Sequence, residues 1–184
     1  MQENKMLNYI KEVLENMPSS WFDLTTHRLD IYDEKLAKTQ FIDEFEDLYE
    51  SNNSTAYSLN ELPTAYDYIR LGHPLSCILE WAIGNLNNLK PENVISFSSK
   101  TIPILAILRK NLLENTNTRI VCSDELPDFF DAEMLRKVYG YKFELNKIEN
   151  IEDLSEFDGS TILVSHQDEM NALNLNSNID FYIG

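Results

Sequence analysis

The residues best suited to chemistry sit in one turn, Ser96-Phe97-Ser98-Ser99-Lys100-Thr101-Ile102-Pro103. Ser98, Ser99 and Thr101 offer hydroxyls, the start of a helix offers free backbone amides, and Lys100 adds a positive charge. Together these are groups that hold an anion. The same four residues also read as a serine-threonine helix cap beside a solvated lysine. The turn contains no glycine, although backbone that passes close to a dinucleotide usually needs one. Further on, Ser123-Asp124-Glu125 places a carboxylate, Asp124, about 20 or more residues beyond the turn, where such sheets bind ribose hydroxyls. An ordinary cap or loop acid fits that position too. His27, His73 and His166 lie in unrelated segments, without His-x-x-x-His or Cys-x-x-Cys spacing, so no metal site is expected. Cys77 and Cys122 fall on an expected helix and strand, where a buried, inert thiol is the ordinary reading, and Trp81 reads as core.

These groups need elements to carry them. Residues 6–17 put Leu7, Ile10, Leu14 and Met17 at helical spacing until Pro18. Residues 33–50 carry Phe41, Ile42, Phe45, Leu48 and Tyr49 on one stripe, with Asp43, Glu44, Glu46, Asp47 and Glu50 on the other. Ser51-Asn52-Asn53-Ser54-Thr55 has loop composition and marks the candidate boundary. Pro74 opens a helix with Leu75, Ile78, Leu79, Ala82, Leu86 and Leu89 inward, before Pro91. Strands are then expected at 94–97, 119–122, 142–145, 161–164 and 179–183. Helices are expected at 103–113 and 128–139, with a short helix or turn at 151–157. Strand and helix alternating at this spacing imply βαβ units. The expectation is an α/β fold with a doubly wound, mostly parallel, Rossmann-like sheet over 61–184, preceded by a helical segment over 1–60.

Composition narrows the class. The 184 residues carry 31 acidic and 15 basic side chains, a net charge of -16, which repels phosphate backbones and disfavours nucleic acid as a partner. No apolar run approaches the roughly 20 residues of a membrane span. Two cysteines are too few for a disulfide framework, and a cytoplasmic location is expected. Residues 61–118 hold five basic and five acidic side chains and are neutral, while both flanks are acidic; the candidate turn lies in the neutral part. Partners of two kinds remain open: a small-molecule ligand at that turn, or a basic protein on the acidic helix 33–50, with oligomerisation also open.

The run Ile151-Glu152-Asp153-Leu154-Ser155-Glu156-Phe157-Asp158, followed by Thr161-Ile162-Leu163-Val164-Ser165-His166, resembles the stretch before the fourth strand of S-adenosylmethionine-dependent methyltransferases. The likeness extends to their nicotianamine-synthase-like branch, which precedes its sheet with a helical domain. That branch has a Gly-x-Gly-Pro-Leu-Pro loop where this chain has Ser98-Ser99-Lys100-Thr101-Ile102-Pro103, keeping the final proline and losing both glycines. Tyr66-Asp67-Tyr68-Ile69-Arg70-Leu71 and Glu80 are similar in type to the branch's aromatic stretch and acidic residue. The resemblance implies Glu80 and Tyr68 as catalytic candidates. It implies Ser98, Ser99, Lys100, Thr101 and Asp124 as binders of S-adenosylmethionine, in a diverged transferase whose cofactor binding is weak or lost. Tyr68-Ile69-Arg70, with Glu80 and Ser98-Ser99, is also similar to the early part of pyridoxal-phosphate (PLP) enzymes of cysteine and methionine metabolism. There a Tyr-x-Arg contacts the cofactor phosphate. That alternative implies a truncated PLP-dependent-transferase-like protein. A third reading has no cofactor and no catalysis, a pseudoenzyme or acidic interaction module.

Overall fold

Aromatic side chains at helical spacing organise the first part of the chain. A computed structural model describes residues 2–22, 34–63, 65, 73–123, 125–127, 130–166, 173 and 175–184. In the first of two compact units, Met1–Ser96, four helices share one core: α1 (Gln2–Asn16), α2 (Glu34–Glu50), α3 (Ala56–Glu61) and α4 (Pro74–Leu86). On α2 the buried stripe is Phe41, Ile42 and Phe45, with Leu48 and Tyr49 partly buried, while Asp43, Glu44, Asp47 and Glu50 face solvent. Trp81 of α4 is fully buried and meets Phe45 and Tyr49 edge-on, at 5.2 Å and 5.1 Å between centroids. Such pairs contribute roughly 0.5–1.5 kcal/mol each beyond the area they bury.

On α1 the expected stripe is turned. Met6, Tyr9 and Val13 are buried, with Ile10 and Met17 packed beside them, whereas Leu7 and Leu14 are 44% and 47% exposed. The reason is Tyr9, whose ring packs edge-on against Phe45 and Tyr49 while its hydroxyl donates to the Asn53 carbonyl at 3.1 Å. The aromatic ring buries more apolar surface than a leucine would there. Residues 51–55, the candidate boundary, lie inside this unit, and Ser54 donates to Glu12 of α1. The stretch 61–96, which the sequence groups with the sheet, supplies Cys77, Ile78 and Trp81 to the helical core.

In the second unit, Phe97–Gly184, the described strands are β1 (Thr118–Cys122), β2 (Glu144–Lys147), β3 (Ser160–Val164) and β4 (Phe181–Ile183). They form a parallel sheet in the order β2-β1-β3-β4, with Ile120 paired to Leu145 on one side and to Ile162 on the other. The fold class is thus α/β with a parallel, Rossmann-like sheet. Every residue of β1 and β3 is buried, as parallel strands covered on both faces must be. Ile120, Cys122, Ile162 and Val164 pack under α5 (Thr101–Glu114) and α6 (Ala132–Lys137). Val121 and Leu163, on the other face, are covered by Leu154 and Ile179 from the connecting segments, which include a 3₁₀ turn at Ile151–Asp153.

Local signals are visible at the element ends. Asp131 caps α6 by accepting from the Met134 amide at 2.9 Å, and Gly140, at φ 71, lets the Tyr141 amide turn back onto the Leu135 carbonyl. Gly159, at φ 153, has no alternative. A Cβ there would come within 2.4 Å of the Asn117 carbonyl oxygen, whose partner is the Ser160 amide that begins β3.

The expected first strand, 94–97, is corrected by the structure. It follows a 3₁₀ turn at Pro91–Asn93 as an irregular segment outside the sheet, with Ile95 67% exposed. Here the Ser96 amide, which a ladder would pair with a carbonyl, is satisfied instead by the side chain of Glu80.

Candidate functional site

The turn singled out in the sequence ends at the carboxyl edge of the sheet. α5 leads into β1 through a short connection, so its amino end lies at the end of the sheet where the strands finish. The chain leaves β1 toward β2 on one side and returns to β3 on the other. The carboxyl ends of β1 and β3 therefore flank the point where strand order reverses, the place where open α/β sheets bind ligands.

Lys100 bridges to that point. Its backbone is helical, at φ -70 and ψ -22, and its half-buried side chain makes no cap. Instead Nζ donates to the Ser165 carbonyl at 3.0 Å, just beyond β3, and lies 3.2 Å from His166 Nδ1. The Ser165 amide in turn donates to the Ile183 carbonyl of β4, which ties the peptide before the receiving carbonyl to the sheet. An ammonium and the amino end of α5 thus meet at one edge and favour an anionic group, with the exposed His166 imidazole accepting from the ammonium. Ser99 acts as the capping reading expects: its Oγ accepts from the Ile102 amide, at 3.4 Å. Ser98 is exposed beside it, and Thr101 opens α5. Asp124 lies outside the described residues; among the described residues the turn meets the end of β3.

Glu80 has a different character. It belongs to the first unit, on α4, and is 6% exposed. One oxygen accepts from the Ser96 amide and hydroxyl, at 2.8 Å and 2.9 Å; the other takes an ion pair with Lys38 of α2. A buried carboxylate with three donors is balanced by its surroundings. Its neighbour Cys77 is a buried free thiol whose pKa burial pushes up to about 12; Lys38 opposes the rise and Glu80 adds to it. At neutral pH this is a thiol, not a nucleophilic thiolate. Tyr68, with Tyr66, Asp67 and Arg70, lies outside the described residues.

No protein-family model, curated protein or solved structure matches this chain. The two family resemblances therefore rest on the residues that carry them. Among the described residues no group of three or more His, Cys, Asp or Glu side chains is placed to hold a metal ion, and no helix is long and apolar enough to cross a membrane.

His166, which the sequence reading weighed only as an isolated histidine at the end of the methyltransferase-like run, was not among the site residues it expected. Its signal was position, two residues after a fully buried β-branched strand, where an open α/β sheet presents side chains to a ligand. At the opposite end of β3 the surface holds a polar cleft of about 200 Å³ lined by Glu156, Thr161, Asn178 and Asp180. Beneath it runs Arg119, buried, with Nη2 donating to Thr161 Oγ1 and the Ser155 carbonyl and its guanidinium over the Phe157 ring. Those contacts hold the segment before β3 onto the sheet, a structural role for this basic side chain.

Proposed function

We propose that the second unit binds a small ligand through an anionic group at the carboxyl ends of β1 and β3, and that the protein is a diverged transferase of the S-adenosylmethionine-dependent type with weakened cofactor binding. The observation that carries this reading is Lys100, which spans from the start of α5 to Ser165 and His166 beyond β3. A ligand carboxylate, such as that of S-adenosylmethionine, would receive a charge-assisted hydrogen bond from Lys100 beside the amino end of α5. The missing glycines weaken the site: a Cβ at Ser98, Ser99 and Lys100 limits how closely backbone approaches the ligand. The free thiols of Cys77 and Cys122 suit a reducing cytosol.

The phosphate of PLP would meet the same donors, which keeps the second family as the alternative ligand class. The test is a thermal-shift and calorimetric titration of the whole chain with S-adenosylmethionine, its demethylated product and PLP, with inorganic phosphate as control. Binding of the adenosyl compounds that is lost in Lys100→Ala supports the proposal. Binding of PLP alone transfers the reading to the pyridoxal class. If none binds, the non-catalytic interaction module is left, with the exposed acids of α2 as the surface for a basic partner. Tested alone, the protein is expected not to consume S-adenosylmethionine and not to form a Schiff-base absorbance with PLP; turnover of either would show that the glycines are dispensable.

A further inference from the structure

We draw no further inference here: the strongest candidate, the outward apolar stripe of α5 formed by Ile102, Leu112 and Leu113, is a helix face for which nothing in the structure shows what covers it.

Discussion

Two charged side chains stood out in the sequence, and their surroundings separate them. Glu80 is enclosed in the helical unit, with both oxygens committed to Lys38 and Ser96. Lys100 in the sheet unit is half-buried at the rim, and its partners are a backbone carbonyl and an exposed imidazole. The first arrangement serves stability, because removing either partner strands a buried charge. The second sets the ammonium against two neutral acceptors at the rim of the strand ends, where an anion can approach it. Residue type alone does not distinguish a structural charge from a ligand-binding one; burial and saturation do.

The largest effect that could break this contrast is expected at Glu80. Glu80→Ala leaves Lys38 and the Ser96 amide without their acceptor and should cost about 3–5 kcal/mol in urea unfolding. A loss below about 1 kcal/mol, together with loss of ligand binding, would move Glu80 from structure to function.

Alkaline titration probes the core of the same helical unit. The Cys77 thiol rises from 9.0 to about 12 in the folded state and the Tyr9 phenol from 10.0 to about 12, each chiefly through burial, with Glu12 adding to the Tyr9 rise. Raised values for these acids mean that the unfolded chain releases protons first. Their stabilising contribution is complete below pH 9, declines as pH climbs and is gone above about 12. Denaturation midpoints measured across that window should fall, and Cys77→Ala should remove the part that begins at the lower pH. A flat profile in the parent would contradict the burial.

At Lys100 the contrast is sharpened by ligand. A compound present at 100 times its dissociation constant stabilises by about 2.7 kcal/mol. That increment should vanish in Lys100→Ala, while the unliganded variant loses only about 1 kcal/mol, the worth of its hydrogen bonds. An undiminished ligand shift in the variant would exclude the rim as the site. The smallest effect is expected for Ser99→Ala, about 0.5–1 kcal/mol through one helix cap, with ligand affinity little changed. A tenfold loss of affinity there would give the hydroxyl a binding role.

Much of the sheet was legible because its signals are local. Thr118–Cys122 and Ser160–Val164 are short β-branched runs flanked by polar turns, and they became the two central strands. α2 declared its buried stripe through the spacing of Phe41, Ile42 and Phe45. The segment 94–97 has the same local character as those strands but not the same fate, since strand pairing depends on which backbone partners are free elsewhere. Here Glu80, sixteen residues away, satisfies the Ser96 amide. The rotation of α1 was hidden likewise, because Leu7 and Leu14 and the stripe of Met6, Tyr9 and Val13 have equally helical spacing. The candidate site was half legible. The turn with Lys100 was visible as a chemical cluster, but its meeting with His166, 66 residues on, was not.

The sequence by itself determined the class of the molecule: helices where apolar residues recur at 3.6, strands where β-branched residues run together, and an alternation that makes the sheet parallel. It also determined the absence of glycine in the turn before α5, which bears on any ligand whatever the packing. Tertiary structure decided which face of α1 is buried, which expected strand stays outside the sheet, and that Glu80 is spent on Lys38 and Ser96 while Lys100 reaches the end of β3. The physical reason is range. Periodicity, caps and turns are set by neighbours within a few residues, whereas burial and hydrogen-bond saturation depend on groups distant in the chain that only folding brings together.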